Sequence, residues 1–377
     1  MNRITLADVA KRAGVHASTV SMALRNHPSL PAATKDRLRS MAKAMGYVPD
    51  PALSALAAYR RMSARKPEGE RLAYVTDWFS SEGWKEMPAH AEFFEGAAEK
   101  SRELGYRLEH HWLGEHGMSA ARLGSILLNR GIVGLILASQ RLIPGISFDF
   151  DWPRFSAIKI DYFPAEPPIH CVSNDQRAIV QMATQKALAA GYRRIGLVLE
   201  RQFDLSAREA WSAGFLAELQ RLKASDRVPI LHFSNDQANL SGLSDENQPI
   251  GRRRFAPWYA KHRPEVVIGY GRHVRPSVEE TGLNIPGEVA FVELFLEDST
   301  GATAGVRENC RRVGEVAVEE LVGQLHQNLR GLPRFPTCTL VEGTWVDGAS
   351  LPPLPGSRTA PCPSRAQPAG AAAGADA

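Results

Sequence analysis

The sequence predicts an all-α head followed by an α/β core of parallel sheets with helices on both faces. Apolar residues near the amino terminus recur at helical spacing on either side of Gly14. From residue 71 onward, short apolar runs alternate with amphipathic helical stretches, which is typical of βαβ units. A chain of 377 residues also exceeds one compact unit, so we expect two or three domains.

The beginning of the chain has the pattern of two short helices joined by a tight turn. Thr5 is expected to cap the first helix, with Asp8 as its capping-box partner. Gly14 ends that helix because glycine adopts positive φ without a Cβ clash. The second helix buries one apolar face and turns four residues outward, Ala17, Ser18, Ser21 and Met22. Such a pair is a helix-turn-helix, whose second helix enters the major groove of DNA.

Two further helical segments follow the helix-turn-helix. The first is expected from Pro31 to about Met45, because proline is favoured in a first turn. Its outer face carries cations that either are solvated or contact phosphate, namely Lys35, Arg37, Arg39 and Lys43. The second, residues 51–58, is too short to be stable alone and needs a partner helix or DNA to become ordered. Residues 60–70 are a polar linker and mark a domain boundary.

The positive charge of the chain is concentrated at its amino-terminal end. Residues 1–66 contain twelve Lys/Arg and three acidic residues, a net charge of +9, whereas the remainder has a net charge of −5. Binding to phosphates with release of counterions requires such a basic segment. A solvated basic surface is the alternative, but it does not explain why the excess is confined to the helix-turn-helix segment. We therefore expect the head to bind a polyanion.

Several classes of protein are disfavoured by what the sequence lacks. No apolar run reaches the length of a membrane span, and the amino terminus has no signal-peptide pattern. The four cysteines show no C-x-x-C spacing, which disfavours a zinc site and a disulfide framework. The G-x-G-x-x-G, P-loop and G-x-S-x-G motifs are absent, so we do not expect an enzyme. The expectation is a cytoplasmic protein without metal, cofactor or membrane contact.

The core is expected to contain alternating strands and helices. Strands are predicted at Leu72–Thr76, Ile132–Ala138, Ala157–Asp161, Ile195–Leu199, Val228–Phe233, Val266–Tyr270, Val289–Leu294 and Thr339–Gly343. Helices are predicted at Ala91–Leu104, Ala120–Arg130, Gln176–Ala190, Ala207–Leu222, Val274–Thr281 and from Arg307 to about Leu329. Ligands in such folds bind at the carboxyl ends of the strands. The Pro/Ala/Gly-rich tail, residues 351–377, is expected to be disordered.

Short motifs in the head have the spacing of a known family. They are Thr5-Leu6-Ala7-Asp8-Val9-Ala10, Ala13-Gly14-Val15, Ser18-Thr19-Val20-Ser21, Thr34 and Gly46-Tyr47-x-Pro49. With this spacing, unbroken from Thr5 to Leu56, the chain resembles the lactose-repressor (LacI/GalR) family of bacterial transcription regulators. A weaker similarity continues to about Leu351. The resemblance implies a hinge helix, a two-lobed core similar to periplasmic sugar-binding proteins, and homodimers that bind pseudo-palindromic operators.

The resemblance also implies a domain organisation. The helix-turn-helix head would occupy residues 1–49 and the hinge helix and linker residues 50–70. The core would occupy residues 71–350. Its N-lobe would comprise about 71–164 and 296–329, and its C-lobe about 165–295 and 330–350.

The same resemblance implies which residues contact DNA. They are Thr5, His16, Ala17, Ser18, Thr19, Ser21, Met22, Arg25, Asn26, Thr34, Leu53 and Leu56. Leu56 falls where the family inserts a leucine into the minor groove, and packing within the hinge is the alternative. Met22 cannot make the bidentate contact to guanine that arginine makes, but it can pack against a thymine methyl group. His16 stands where relatives have a capping Ser or Thr, and it either contacts phosphate or is a solvated turn residue.

The core residues that resemble effector contacts are more scattered. They are Asp77, Trp78, Phe79, Arg208, Tyr270, Arg272, Phe295 and Glu308. Arg208 is the best single candidate, because a guanidinium offers several fixed donors. An anionic sugar or acid held by Arg208 and Arg272 is therefore one hypothesis for the ligand.

The sequence thus predicts a DNA-binding transcriptional repressor controlled by a small molecule, either a sugar or a sugar acid. A regulator that has lost effector control, or responds to a non-sugar effector, is the alternative, because several effector positions differ from the family pattern. A solute-binding protein or an enzyme on the same core is the remaining class.

Overall fold

The computed structural model describes residues 4–24, 27, 29–47, 70–140, 148–162, 166–233, 252–297 and 300–355. Its head contains three helices, α1 (Leu6–Ala13), α2 (Ala17–Leu24) and α3 (Ala32–Ala44). Val9, Val20 and Leu38, one from each helix, are fully buried at their centre. The predicted helix-turn-helix and third helix are therefore present.

The ends of α1 show why this helix begins and stops where it does. The Thr5 hydroxyl accepts a hydrogen bond from the Asp8 N–H, and the Asp8 carboxylate accepts one from the Thr5 N–H. Gly14 has φ of 67° and closes the helix in the left-handed conformation. The capping box and the glycine turn are thus confirmed.

The described part of the core contains two six-stranded sheets. The first has the order β11-β5-β4-β3-β1-β2, is parallel throughout, and comprises β1 (Glu70–Asp77), β2 (Tyr106–Trp112), β3 (Gly134–Gln140), β4 (Ser156–Ile160), β5 (His170–Asn174) and β11 (Cys338–Val341). The second has the order β12-β10-β9-β8-β6-β7 and comprises β6 (Ile195–Glu200), β7 (Leu231–Phe233), β8 (Val266–Gly269), β9 (Ala290–Glu293), β10 (Ala304–Arg307) and β12 (Thr344–Val346). Only its β10–β12 pair is antiparallel. The predicted α/β class is confirmed.

Helices cover both faces of each sheet. On the first sheet, α4 (Pro88–Glu103) and α11 (Cys310–Gln327) pack on one face and α5 (Ala120–Asn129) on the other. On the second sheet, α6 (Gln176–Ala189) and α8 (Ala210–Leu219) pack on one face, and α9 (Arg252–His262) and α10 (Gly271–Glu280) on the other. A short helix, α7 (Arg201–Ser206), follows β6 directly. Among the described residues, no helix has the length and apolarity that a membrane span needs.

Helices α4 and α11 approach each other through two glycines. A Cβ on Gly96 would lie 1.9 Å from the Arg311 carbonyl oxygen, and one on Gly314 would lie 2.0 Å from the Phe93 carbonyl oxygen. Because any side chain would collide with backbone at both positions, the glycines allow this close crossing. Both helices begin beside the cavity described below.

The chain passes between the sheets at points that differ from the expected lobe boundaries. Strands β5 and β11 belong to the first sheet and β10 to the second. The passages therefore lie near residues 175, 308 and 342, rather than near 164, 295 and 329. The apolarity of a short strand does not specify the sheet it joins, because that depends on pairing with distant residues.

Other elements also differ from prediction. The predicted strands are present with shifted ends, but β2, β5, β10, β12 and α9 were not predicted. The helix expected at Ala207–Leu222 is shorter, α8 (Ala210–Leu219), and α7, which precedes it, was not predicted. Arg208 and Glu209 separate them with φ of 55° and 57°. Disorder was expected from residue 351, but Leu351 is buried and Tyr192 donates to the Pro352 carbonyl oxygen at 2.7 Å, so the chain is packed up to residue 355. The hinge helix at 51–58, the linker up to residue 69 and the tail from residue 356 lie outside the described residues.

Candidate functional site

The second helix of the head presents a mostly polar surface. Ser18 is exposed, and Ser21 and Met22 are partly exposed on the same helix. Ala17 is partly buried and packs against the apolar centre of the head. This face is the one expected of a recognition helix, except that the short, partly buried Ala17 side chain extends little beyond the helix.

His16 caps this helix. Its Nδ1 accepts a hydrogen bond from the Ser18 N–H at 3.3 Å and lies 2.8 Å from Ser18 Oγ. The histidine therefore acts as the cap of α2, since its ring nitrogen satisfies an otherwise free N–H of the first turn. Ser18 is held by the same contact.

The cations of α3 do not all behave as a solvated face. Arg39 Nε donates to the Ala23 carbonyl oxygen at 3.1 Å, near the end of α2. This bond supplies a donor where helix carbonyls lack one and places positive charge at the carboxyl end of the helix dipole. Arg39 is thus a positioning residue for the recognition helix.

The remaining predicted DNA contacts divide into two groups. Thr5 and Thr19, with Thr34 in the first turn of α3, are at least partly exposed. Four others lie outside the described residues, namely Arg25, Asn26, Leu53 and Leu56.

The core contains a cavity of about 580 Å³ between the two sheets. Residues at or just beyond the carboxyl ends of strands from both sheets line it, including Gln140, Asp161 and Asn174 from the first sheet, and Glu200 and Tyr270 from the second. This is where an α/β fold places a ligand. A molecule bound there would touch both lobes.

Aromatic rings form the wall contributed by the second sheet. Phe203 stacks on Trp211 with ring centroids 5.9 Å apart, and Phe295 contacts Phe203, Trp211 and Tyr270 at 5.2, 5.4 and 4.9 Å. Trp78 lines the opposite side and packs against His90 at 5.1 Å. These flat apolar surfaces suit the faces of a ring-shaped ligand.

Two carboxyl groups dominate the polar side of the cavity. Asp161 Oδ1 accepts from Ser173 Oγ at 2.8 Å. Glu308 Oε2 accepts from Asn174 Nδ2 at 3.2 Å and from Cys310 Sγ at 3.5 Å. Burial raises the pKa of Asp161 to about 6, and burial together with the charge of Asp161 raises the pKa of Glu308 to about 8.

Three buried amide side chains complete the polar side. Gln140 donates its Nε2 to the carbonyls of Val75 and Ala138, both at 2.8 Å, and Gln176 donates to Ser173 Oγ at 3.1 Å. The amide oxygens of three lining residues have no hydrogen-bond partner in the described part of the chain: Gln140, Asn174 and Gln176. Such oxygens call for a donor, because a buried acceptor without one is costly.

The structure brings together only part of the predicted effector set. Four of these residues line the cavity, namely Trp78, Tyr270, Phe295 and Glu308. Phe79 packs against Trp78, and Asp77 is the last, buried residue of β1; neither lines the cavity.

The two arginines predicted to hold an anion are also absent from the lining. Arg208 is exposed, with its guanidinium carbon 5.1 Å from the centroid of the Tyr162 ring. Arg272 is exposed and pairs with Glu297 at 3.3 Å. Both are therefore engaged with side chains at the cavity margin.

Sequence reasoning missed Gln140, Asp161, Asn174 and Gln176. Asp161 was placed as the last residue of a predicted strand, and its polar character at a strand end was the available signal. Asn174 and Gln176 flank the end of β5, a strand that was not predicted, so no strand end pointed to them.

Known proteins are similar both to the head and to the core of this chain. The family "Bacterial regulatory proteins, lacI family" matches residues 5–50. "HTH-type transcriptional regulator reg1" of Streptomyces lividans is 24% identical over 85% of this chain and 90% of its own length. "Maltose regulon regulatory protein MalI" of Escherichia coli (strain K12) is 25% identical over 55% of this chain and 57% of its own.

Two solved structures share the fold. The "transcriptional regulator CelR-cellobiose complex" superposes with a TM-score of 0.55 at 19% identity, over 92% of this chain and all of that one. The lac repressor dimer bound to operator and the anti-inducer ONPF has a TM-score of 0.53 at 17% identity, over 93% of this chain and all of that one. The head of this chain, residues 5–50, thus matches the lacI family of bacterial regulatory proteins, and most of the chain is similar to transcriptional regulators.

Proposed function

We propose that this chain is a sequence-specific DNA-binding transcriptional repressor whose affinity for its operator is controlled by a small molecule in the cavity. The observation that carries the proposal is the union, in one chain, of a helix-turn-helix with a cavity lined from both sheets. The chain acts in the cytoplasm, is not an enzyme, and binds as a homodimer to a pseudo-palindromic operator.

On the DNA side, the proposed contacts are those of the recognition helix and its surroundings: Thr5, His16, Ala17, Ser18, Thr19, Ser21, Met22, Arg25, Asn26 and Thr34. Leu53 and Leu56 of the hinge contact the minor groove, and Leu56 bends the duplex. The short, weakly polar side chains on α2 favour a half-site read partly through apolar contact, with Met22 against a thymine methyl group.

On the effector side, we propose a sugar-like molecule. Its ring lies against the aromatic side chains of Phe203, Tyr270 and Phe295, and its hydroxyls donate to the carboxyl and amide oxygens. That one relative in fold is described in complex with cellobiose supports this class. The size of the cavity argues against the alternative in which effector control has been lost.

Control follows from the position of the cavity between the lobes. A ligand that touches both sheets stabilises the arrangement of lobes it fits best, and the carboxyl ends of both sheets supply its contacts. It alters DNA affinity only to the extent that it binds the DNA-competent arrangement and the other one unequally.

The test is selection of operators from random DNA by the full-length protein, followed by affinity measurements on the recovered site. We expect a two-fold symmetric site, and an affinity that falls steeply with salt because phosphate contacts release counterions. Met22→Ala should weaken binding and relax preference at one half-site position, whereas Met118→Ala in the core should leave DNA affinity unchanged. A guanine-dependent position lost in Met22→Ala, or an affinity insensitive to salt, would contradict the proposal.

A further inference from the structure

The charge of the cavity is unbalanced. Its lining contains five acidic residues, Glu92, Asp161, Glu200, Glu297 and Glu308. Within the part of the chain that the structure describes, Arg307 is the only lysine or arginine among the lining residues. His90 adds no charge near neutral pH, because burial lowers its pKa to about 4. The cavity is therefore a negatively charged compartment with apolar walls.

Asp161 and Glu308 form the centre of this charge. Ser173 occupies one oxygen of Asp161, and Asn174 and Cys310 share one oxygen of Glu308. Burial raises the pKa of both groups, and the nearby charge of Asp161 raises the pKa of Glu308 further. An ammonium group placed between them would favour the ionised form of both carboxyl groups and donate hydrogen bonds to them.

Three amide groups in the cavity also require hydrogen-bond donors from a ligand, and this requirement does not depend on charge. Gln140, Asn174 and Gln176 are 6, 2 and 8% exposed, and their amide nitrogens already donate to protein atoms. Their three oxygens are left without a partner among the described residues. A ligand rich in N–H and O–H groups satisfies acceptors of this kind, whereas a carboxylate or phosphate cannot.

The aromatic side chains on both sides of the cavity favour an organic cation. The side chains of Trp78, Tyr270 and Phe295 line the same space as the carboxyl groups, and aromatic rings attract ammonium groups. No group of three or more His, Cys, Asp or Glu side chains suited to a metal ion occurs among the described residues. The ligand that these surfaces fit is thus a molecule with an apolar ring face and a charged nitrogen.

We propose that the effector carries a primary ammonium group beside hydroxyls, as an amino sugar or an amino polyol does. Its ammonium group lies between Asp161 and Glu308, and its ring lies against the aromatic wall. The inference rests on the proposed function for the role of the cavity, and it replaces the anionic ligand that Arg208 and Arg272 had suggested.

The experiment measures thermal shift and calorimetric binding on the full-length protein at pH 7. The probes are matched sets in which one hydroxyl is replaced by an amine or an N-acetylamine: glucose, glucosamine and N-acetylglucosamine, and the galactose and mannose equivalents. The amine of at least one set should bind at least tenfold more tightly than its neutral partners. If no amine exceeds its neutral partners, the inference is wrong.

Variants locate the effect. Glu308→Gln and Asp161→Asn keep the shape of the side chain and remove its ability to ionise, which a bound ammonium group would promote, so each should reduce amine binding at least tenfold and neutral-sugar binding by much less. Glu279→Gln, an exposed acid of α10 paired with Arg275, is the matched control and should change neither. An equal loss of amine and neutral binding in Glu308→Gln would overturn the assignment.

Operator binding measured on the same samples tests the proposed function separately from the ligand class. A protein that binds its operator but prefers no amine contradicts only the ligand class. A protein that binds no operator contradicts the proposed function itself.

Discussion

Replacing Gly314 by alanine tests whether the close crossing of α4 and α11 supports the first lobe. The added Cβ would lie 2.0 Å from the Phe93 carbonyl oxygen and 2.8 Å from the Ala97 backbone nitrogen. A non-bonded carbon atom attracts an oxygen or nitrogen atom only at separations above about 3 Å, so both of these approaches are repulsive. The two helix backbones must therefore move apart by about 1 Å, and a collision with backbone cannot be relieved by rotating a side chain.

The expected cost follows from two opposing effects. Overpacking of this kind costs about 1–3 kcal/mol or more. Replacing a helical glycine by alanine returns up to about 1 kcal/mol. We expect a net loss of about 2 kcal/mol in the free energy of unfolding, and a Tm lowered by about 4–8 °C for a lobe of this size.

Thermal and urea unfolding of the full-length protein check this value. The matched control is Gly323→Ala in the same helix, where an added Cβ meets nothing within 4 Å. That variant should be as stable as the wild type or slightly more stable. Because Phe93 also lines the cavity, Gly314→Ala should weaken effector binding as well. Equal free energies of unfolding for the two alanine variants would show that the close crossing at Gly314 does not support the lobe.

Three further predictions concern other parts of the chain. The pKa of Glu308 is raised to about 8, so ionisation of this group opposes folding. Its contribution to the free energy of unfolding is therefore favourable below about pH 4.5 and is lost as the pH rises towards 8. Glu308→Gln should flatten the dependence of urea-unfolding free energy on pH, and an unchanged dependence would refute this. Thr5→Ala should cost about 1 kcal/mol of head stability by removing the cap on α1, measured by circular dichroism, whereas Thr5→Ser should restore it. Arg39→Ala removes the bond to the Ala23 carbonyl and should weaken operator affinity more than Arg37→Ala, an exposed cation of the same helix; equal losses in a binding titration would assign Arg39 to phosphate contact alone.

The head could be predicted from the sequence in detail because its determinants are local. The capping box joins residues three apart, the turn needs only the freedom of Gly14, and the apolar face repeats every three or four positions. The interaction of Arg39 with Ala23 could not be predicted, because it joins residues on different helices and depends on how α3 packs.

The cavity was predicted less completely. Trp78, Tyr270 and Glu308 were found because they follow or end segments with family-like spacing. Asn174 and Gln176 were missed together with β5, whose few residues alternate too weakly to mark a strand. Arg208 was expected near the start of a helix, but Arg208 and Glu209 have positive φ, the helix begins only at Ala210, and the arginine lies over Tyr162.

The sequence by itself determined the class of the protein, a basic helix-turn-helix head joined to an α/β core, because periodicity, caps and charge are properties of neighbouring residues. Only the tertiary structure decided which strands share a sheet, where the chain passes between lobes, and that Asp161, Glu308 and three amide groups meet in one cavity. Those residues come from distant segments, and the electrostatics of the cavity arises only when folding removes them from water together. The charge of the effector is therefore inferred from the folded core rather than from any motif.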